Sequence, residues 1–408
     1  MRRRQFLLGG AALGAGAAAE RLAGGRETAG AAAVPEVRAP LGARVSFEGD
    51  HQAGVIDERP LRAVFASFDA IADSREELAA GLQALSARAR ALTTGGPALL
   101  GSPAEGPTPD SGTLGPRVQP DGLTVTIGFG ASLFDRRYRL GSRVPRHLAP
   151  MPVFPDDALV AAQTHGDVLV QLCANSDETV LHALRDLMRA TRGVLAARWK
   201  VEGFLPDPRR ESGAGRNHLG FKDGTANPDG RDGALMDRLV WARDGEPAWA
   251  AGGTYGVIRT IRMRVEFWDR VSRSEQELMI GRDKSRGAPL GRGHEGDDPG
   301  YANDPHGRRI PLDAHIRLAR PRTPETEDQR ILRRSYNYSR GIDEAGQLDM
   351  GLIFASFQRD PERQFAAVQR RLAGEPLIDY VVPTGGGYFF VPPGARDGRD
   401  WVGSGLFL

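Results

Sequence analysis

Apolar positions recur along this chain with two periods, and the switches between those periods predict its elements. In "RAVFASFDA" (62–70) β-branched and aromatic residues crowd a short run, which predicts a strand. The period then lengthens. Leu78, Leu82, Leu85, Ala89 and Leu92 recur three or four residues apart, the spacing of one helical face. Ser74 and Glu77 supply a capping-box pattern at the start of that helix. "GLTVTIGFG" (122–130) and "DVLVQLCA" (167–174) predict two further strands. In "DETVLHALRDLMRA" (177–190), Val180, Leu181, Leu184, Leu187 and Met188 share a face, which leaves His182 on the polar side and solvated. "LAARWKVEGF" (195–204) closes this half as a strand.

The second half repeats the order. "TYGVIRTIRMRVEFW" (254–268) predicts a strand, "RSEQELMIGR" (273–282) a short helix, and "GLIFASFQ" (351–358) another strand. Asp360 then stands as N-cap with Pro361 at the first helical position; Phe365, Val368 and Leu372 share a face before Gly374 ends the helix. "DYVVPTGGGYFFVPP" (379–393) predicts the last strand. Strands interleaved with two helices in each half predict an α+β fold with helices on one sheet face, although no sequence repeat is evident. The halves are expected at 44–235 and 236–408. A Gly/Pro-rich stretch at 93–116 reads as loop.

Residues 1–25, "MRRRQFLLGGAALGAGAAAERLAGG", change the picture at one end. A basic start before an apolar Gly/Ala-rich run predicts a signal peptide, and Arg3-Arg4-Gln5-Phe6-Leu7 resembles a twin-arginine core. Cleavage after Ala19 or Ala33 fits equally, so the segment is taken as 1–33. Such a route would export a folded, cofactor-loaded protein to the periplasm or the cell surface. No later apolar run reaches the roughly 20 residues of a spanning helix, so the mature chain is expected to be soluble.

Composition narrows the chemistry. The 408 residues carry a formal net charge of +2, which implies no strong field for nucleic acid or membrane. The single cysteine, Cys173, excludes an intramolecular disulfide and a cysteine-based metal site. Without C-x-x-C-H, a covalently attached c-type haem is also excluded. "PTGGGYFF" is glycine-rich but runs into a strand where a phosphate loop needs a helix N-terminus. The basic-then-acidic loop 281–300 reads as solvated, with contact to a ligand's anionic groups as the alternative. None of the eight histidines forms H-x-x-x-H on a predicted helix. His315 lies in an extended, apolar stretch, "PLDAHIRLARP", where composition favours a core histidine. In "GFKDGTANP" (220–228), Asp223 sits between glycines as a turn device or a reactive group.

Taken together, "DSGTLGP", "DGLTVTIGFGASLFD", "GFKDGTANP", "IGRDKSRGAPLG", "DAHIRLARPR", "ILRRSYNYSRG" and "PTGGGYFFVPPG" resemble the dye-decolourising peroxidases, closest to their exported, iron-uptake-associated deferrochelatase/peroxidase branch. The resemblance runs from about His51 to the C-terminus. It implies two ferredoxin-like halves of the dimeric α+β barrel type, with antiparallel sheets and peripheral helices, and non-covalent haem b in the C-terminal half. By position it makes His315 the proximal iron ligand, Asp223 the distal acid of G-x-x-D-G and Arg333 the distal arginine, with Arg334 as neighbouring alternative. Arg320 departs from an asparagine frequent in the family. Leu352 and Phe354 are candidates to wall the haem cavity, or plain core residues. Asp360 is a candidate partner for the proximal imidazole, although its N-cap role is favoured. Tyr336 and Tyr338 are either electron relays or ordinary packing.

The implied reaction is peroxide reduction coupled to oxidation of dye-like or phenolic substrates. Asp223 would move a proton between the peroxide oxygens, and Arg333 would stabilise the departing one. Aspartate ordinarily titrates near about 4, against about 6.5 for histidine, which predicts an acidic optimum. Two other readings stand beside it: release of iron from haem with the macrocycle intact, and a non-catalytic haem or iron-binding module of an uptake system. The implied partners are hydrogen peroxide with a small organic reductant or haem, and iron-uptake components. Assembly as a homo-oligomer stays open.

Overall fold

The computed structural model describes residues 40–98 and 108–408, so the signal reading and the middle of the Gly/Pro-rich stretch lie outside the described residues. Strand β1 (Arg62–Ala70) leads into helix α1 (Arg75–Thr94). The Ser74 hydroxyl accepts the Glu77 amide at 3.0 Å, while Glu77 returns its carboxylate to the amide of Asp73 rather than of the cap residue. All five leucine and alanine positions predicted for its inner face are buried. A two-residue ladder of β2 (Gly96–Pro97) and β3 (Arg117–Val118) precedes β4 (Thr124–Gly130). Then come β5 (Val168–Ala174), α2 (Asp177–Ala190) and β6 (Leu195–Phe204). The strands pair antiparallel in the order β4-β5-β1-β6, which is the ferredoxin-like arrangement of a βαββαβ unit.

Helix α3 (Gly233–Leu239) follows, and the arrangement is then built again. Strand β7 (Thr254–Met263) is succeeded by α4 (Val265–Trp268), α5 (Arg273–Ile280) and α6 (His315–Ala319). Strands β8 (Leu332–Arg333), β9 (Tyr336–Ile342) and β10 (Leu348–Gln358) come next. A π-helical turn at Glu362–Ala366 runs into α7 (Ala367–Leu372), and β11 (Val381–Val391) ends the sheet. The order β11-β7-β10-β9 is the same ferredoxin-like pattern.

The two halves share one interior. Strand β11 pairs β4 through Phe389–Gly130 and Phe390–Phe129, and β6 pairs β9 through Phe204–Asn337, so the strand order closes on itself. Phe65, Leu169 and Trp199 of the first half pack with Ile258, Tyr336, Ile353 and Phe389 of the second. Among the described residues no helix is long and apolar enough to cross a membrane.

Four expectations are corrected. The strand predicted for 254–268 ends at Met263, where its neighbour β11 begins at Val381 and pairing runs out; the chain then makes a helical turn that buries Val265 and Trp268. On α2, Val180, Leu184 and Leu187 are buried as expected, but Leu181 and Met188 are exposed. His182 is buried, not solvated, because the segment around Asp110 covers that side of the helix and sets both carboxylate oxygens 3.3 Å from its Nε2. His315, finally, opens helix α6 rather than lying in an extended stretch.

Candidate functional site

Strand β10 alternates. Ile353 and Ala355 point into the shared interior, whereas Leu352 and Phe354 line a cavity in the C-terminal half. Ile261 and Met263 of β7, Leu219, Phe221 and Ile316 add to its apolar wall, and Asp223, His315 and Arg333 all border the same space.

His315 is placed by the turn before it. The Asp304 carboxylate accepts the amides of Arg308 (2.8 Å) and Ile310 (3.0 Å), and Arg317 of α6 donates to the Asp304 carbonyl at 2.8 Å. The imidazole Nδ1 lies 2.9 and 3.0 Å from the two oxygens of Glu375, which is buried just past α7. A carboxylate acceptor there fixes the proton on Nδ1 and leaves Nε2 as the basic nitrogen. Burial pushes the His315 pKa down, but the Glu375 charge and hydrogen bond outweigh it, and the net direction is upward. Glu375 was missed from sequence; it reads there only as an acid before Pro376. Asp360 does not serve His315. Its Oδ1 accepts the amides of Glu362 and Arg363 at 3.0 Å, the helix-capping alternative.

The Asp223 carboxylate accepts Arg333 Nη1 at 2.8 Å. The neighbouring Arg334 points the other way, is buried, and donates to the Asp57 carbonyl. Asn227, also in "GFKDGTANP", grips the Arg333 backbone from both sides: its Oδ1 accepts the Arg333 amide at 2.8 Å and its Nδ2 donates to the carbonyl at 3.0 Å. Gly220 and Gly224 hold φ of 83° and 109°. At Gly220 a Cβ would meet only the flexible tip of Lys284, with Cε at 2.7 Å, so it is the positive φ of the chain reversal that calls for this glycine.

Loop 281–300 is less solvated than its composition suggests: Arg282 is buried and, with Pro299, borders the cavity. Tyr301 borders it too, and burial pushes its hydroxyl up to about 12. Arg320 and Arg330 line the space with Nε atoms that are buried and lack a hydrogen-bond partner. Tyr336 and Tyr338 belong to the barrel interior, where Tyr336 meets Phe65 edge-on at 6.3 Å and Tyr338 reaches Asp349 at 3.3 Å.

Fold and cavity together define a class: a duplicated ferredoxin-like protein that sets a carboxylate-backed histidine and an aspartate–arginine pair around one largely apolar space. Family models for the N-terminal and C-terminal parts of the Dyp-type peroxidases match residues 52–205 and 214–396. The chain belongs to the Dyp-type peroxidases, which are haem-dependent enzymes. It is 49% identical over 365 residues to a deferrochelatase of Escherichia coli K12, covering 88% of this chain and 86% of that one. A DyP-type peroxidase from Cellulomonas bogoriensis superposes with a TM-score of 0.81 at 37% identity, covering 90% and 99% of the two chains. Ferric DtpA from Streptomyces lividans gives 0.80 at 35% identity, covering 90% and 98%.

Proposed function

We propose that the protein is a peroxidase using non-covalently bound haem b, with His315 as iron ligand, Asp223 as proton carrier and Arg333 as cationic donor. The cavity suits such a group: a flat apolar ring would meet Leu219, Ile261, Met263, Leu352 and Phe354, and its acidic edge the unpartnered Nε atoms of Arg320 and Arg330. Bound haem supplies the ferric centre and the redox equivalents for peroxide reduction. His315 would hold the metal through Nε2, with Glu375 making the imidazole a stronger donor. The Asp223 carboxylate would take the proton of the peroxide and return it to the leaving oxygen. The Arg333 guanidinium, already 2.8 Å from Asp223, would stabilise the negative charge on that oxygen. Hydrogen peroxide and a small organic reductant are the substrates of this reading.

The observation that carries it is the Asp223–Arg333 pair on the cavity that also holds His315, because a carrier has no use for an acid and a cation at that place. The test is rapid mixing of haem-loaded protein with peroxide. Asp223→Asn and Arg333→Leu should each slow the reaction by about a hundredfold or more while the Soret band persists. Unchanged rates in both variants would remove the assigned roles.

A second reading follows from the name of the 49%-identical relative, a deferrochelatase. In it, haem is the substrate and iron release serves an uptake system. Metal-free protoporphyrin formed from bound haem in the absence of peroxide is its signature. Under either reading the pattern at residues 1–33 supports export by the twin-arginine route to the periplasm or cell surface.

A further inference from the structure

Residues 220–228 are tied at one end to Asn217, through Gly220 at 2.9 Å and Phe221 at 3.0 Å, and at the other to Arg333 through Asn227; between these ends side chains from outside the segment also hold Asp223. Asp223 donates its amide to the Gly215 carbonyl at 2.8 Å, and its side chain meets Arg333. Lys222 before it bridges to Arg216 and donates to the Ser212 carbonyl at 2.8 Å, and a single carboxylate from loop 281–300 adds an anchor on both sides of Asp223. Glu295 Oε2 accepts Lys222 Nζ at 2.7 Å, the residue before Asp223. Glu295 Oε1 accepts the Thr225 hydroxyl at 2.9 Å, two residues after it, and also the Ala214 amide at 3.2 Å.

The anchor is tightly seated. A Cβ on Gly213 would lie 2.4 Å from Glu295 Oε2, and one on Gly287 would lie 2.7 Å from Lys222 Cδ, so bare backbone closes over both partners. Lys222 is largely buried, and Glu295 is itself fixed from behind by Arg282, whose Nη1 donates to the Glu295 carbonyl at 3.1 Å. Arg282 borders the cavity. The hydrogen bond that Lys222 donates to Glu295 is the chief cause holding the Lys222 pKa above its ordinary value, with Glu211 at 3.4 Å a lesser contributor. A surface ion pair would contribute little. This one differs because its donors flank one functional residue.

We propose that Glu295 is a positioning residue for the peroxide reaction: by gripping Lys222 and Thr225 it sets the height and angle of Asp223 over the cavity, and it ties that setting to the loop that forms the cavity wall. The inference rests on the reading of Asp223 given above. Misplacing a catalytic group by about 1 Å costs up to about a hundredfold in rate, whereas His315, which would hold the metal, is fixed by Glu375 and not by this segment.

The experiment compares haem-loaded wild type, Glu295→Gln, Glu295→Ala and Asp223→Asn. Three quantities are measured: the second-order rate constant with peroxide, the KM for a phenolic reductant, and haem retention on transfer to apomyoglobin. Amide hydrogen exchange across residues 220–228 of the haem-free protein gives a readout independent of turnover. Glu295→Ala should slow the peroxide reaction about tenfold and speed exchange in the segment, with reductant KM and haem retention unchanged. Glu295→Gln keeps an acceptor for Thr225 and Ala214 and should fall between Ala and wild type. Overturning results are a Glu295→Ala rate within twofold of wild type while Asp223→Asn is slow, or a rate loss that merely parallels haem loss. If Asp223→Asn itself reacts at the wild-type rate, the underlying reading fails.

Discussion

At the scale of single residues, the groups proposed for chemical roles are set by partners far off in sequence. Asn227 holds the Arg333 backbone across 106 residues, with one hydrogen bond to its amide and one to its carbonyl. Replacing it by alanine leaves both backbone groups without that partner, at about 1–3 kcal/mol for each that stays unsatisfied. Asn227→Ala is therefore expected to lower the unfolding midpoint and to slow the peroxide reaction, because Arg333 loses its fixed origin. Haem content should be unchanged, since His315 and Glu375 are untouched. Stopped-flow rates and an absorption spectrum decide it; a stable protein with wild-type rate would show that Asn227 only closes a turn. That Asp223, His315 and Arg333 border one cavity was expected only from the family resemblance of the motifs that carry them, since composition alone favoured a core histidine and left Asp223 as a turn device or a reactive group. Glu375, Asn227 and Glu295 were not legible in the sequence, because their meaning lies in contacts 60 to 106 residues away that a one-dimensional pattern does not contain.

At the scale of elements, the long strands and helices followed from periodicity, and the failures came where packing overrode it. The face of α2 was misjudged because the Asp110 segment covers part of it, and β7 ran short because its partner did. The five-residue helix α6 was invisible to any periodicity, and it owes its position to Asp304 rather than to its own sequence. That dependence has a pH signature. Backbone amides, Ile310 first, hold the Asp304 carboxyl below its ordinary value of 3.8. A depressed folded-state value means the stabilisation is complete above 3.8 and is lost as pH falls through the lower, folded value. Wild type should thus lose stability relative to Asp304→Asn as the solution is taken below that point, while at neutral pH the variant is the weaker of the two. Urea midpoints measured from pH 6 downward test this; parallel curves would mean that the turn before α6 does not depend on the Asp304 charge.

At the scale of the molecule, two ferredoxin-like halves of the dimeric α+β barrel type were expected, and their sheets close around one interior. The strand pairings joining them are short, the β11–β4 and β6–β9 contacts, and backbone hydrogen bonds such as His165 to Gly386 at 2.7 Å and Val160 to Thr384 at 2.8 Å share the joining with packed side chains. Phe389 is the clearest case: a fully buried residue of the second half, it meets Trp199 of the first edge-on at 6.5 Å. Phe390 beside it packs with Tyr255 in the core that α1 and α2 cover, so β11 is committed to both cores at once. Truncating Phe389 to alanine should cost about 3–5 kcal/mol, the range for emptying a large aromatic site in a core. If the interior is truly shared, that cost falls on both halves together. Calorimetry of haem-free Phe389→Ala should then show one transition, moved to lower temperature. Two separated transitions, with only the second half weakened, would mean that each half stands on its own core and that the closed ring of strands contributes little to holding the cavity in shape.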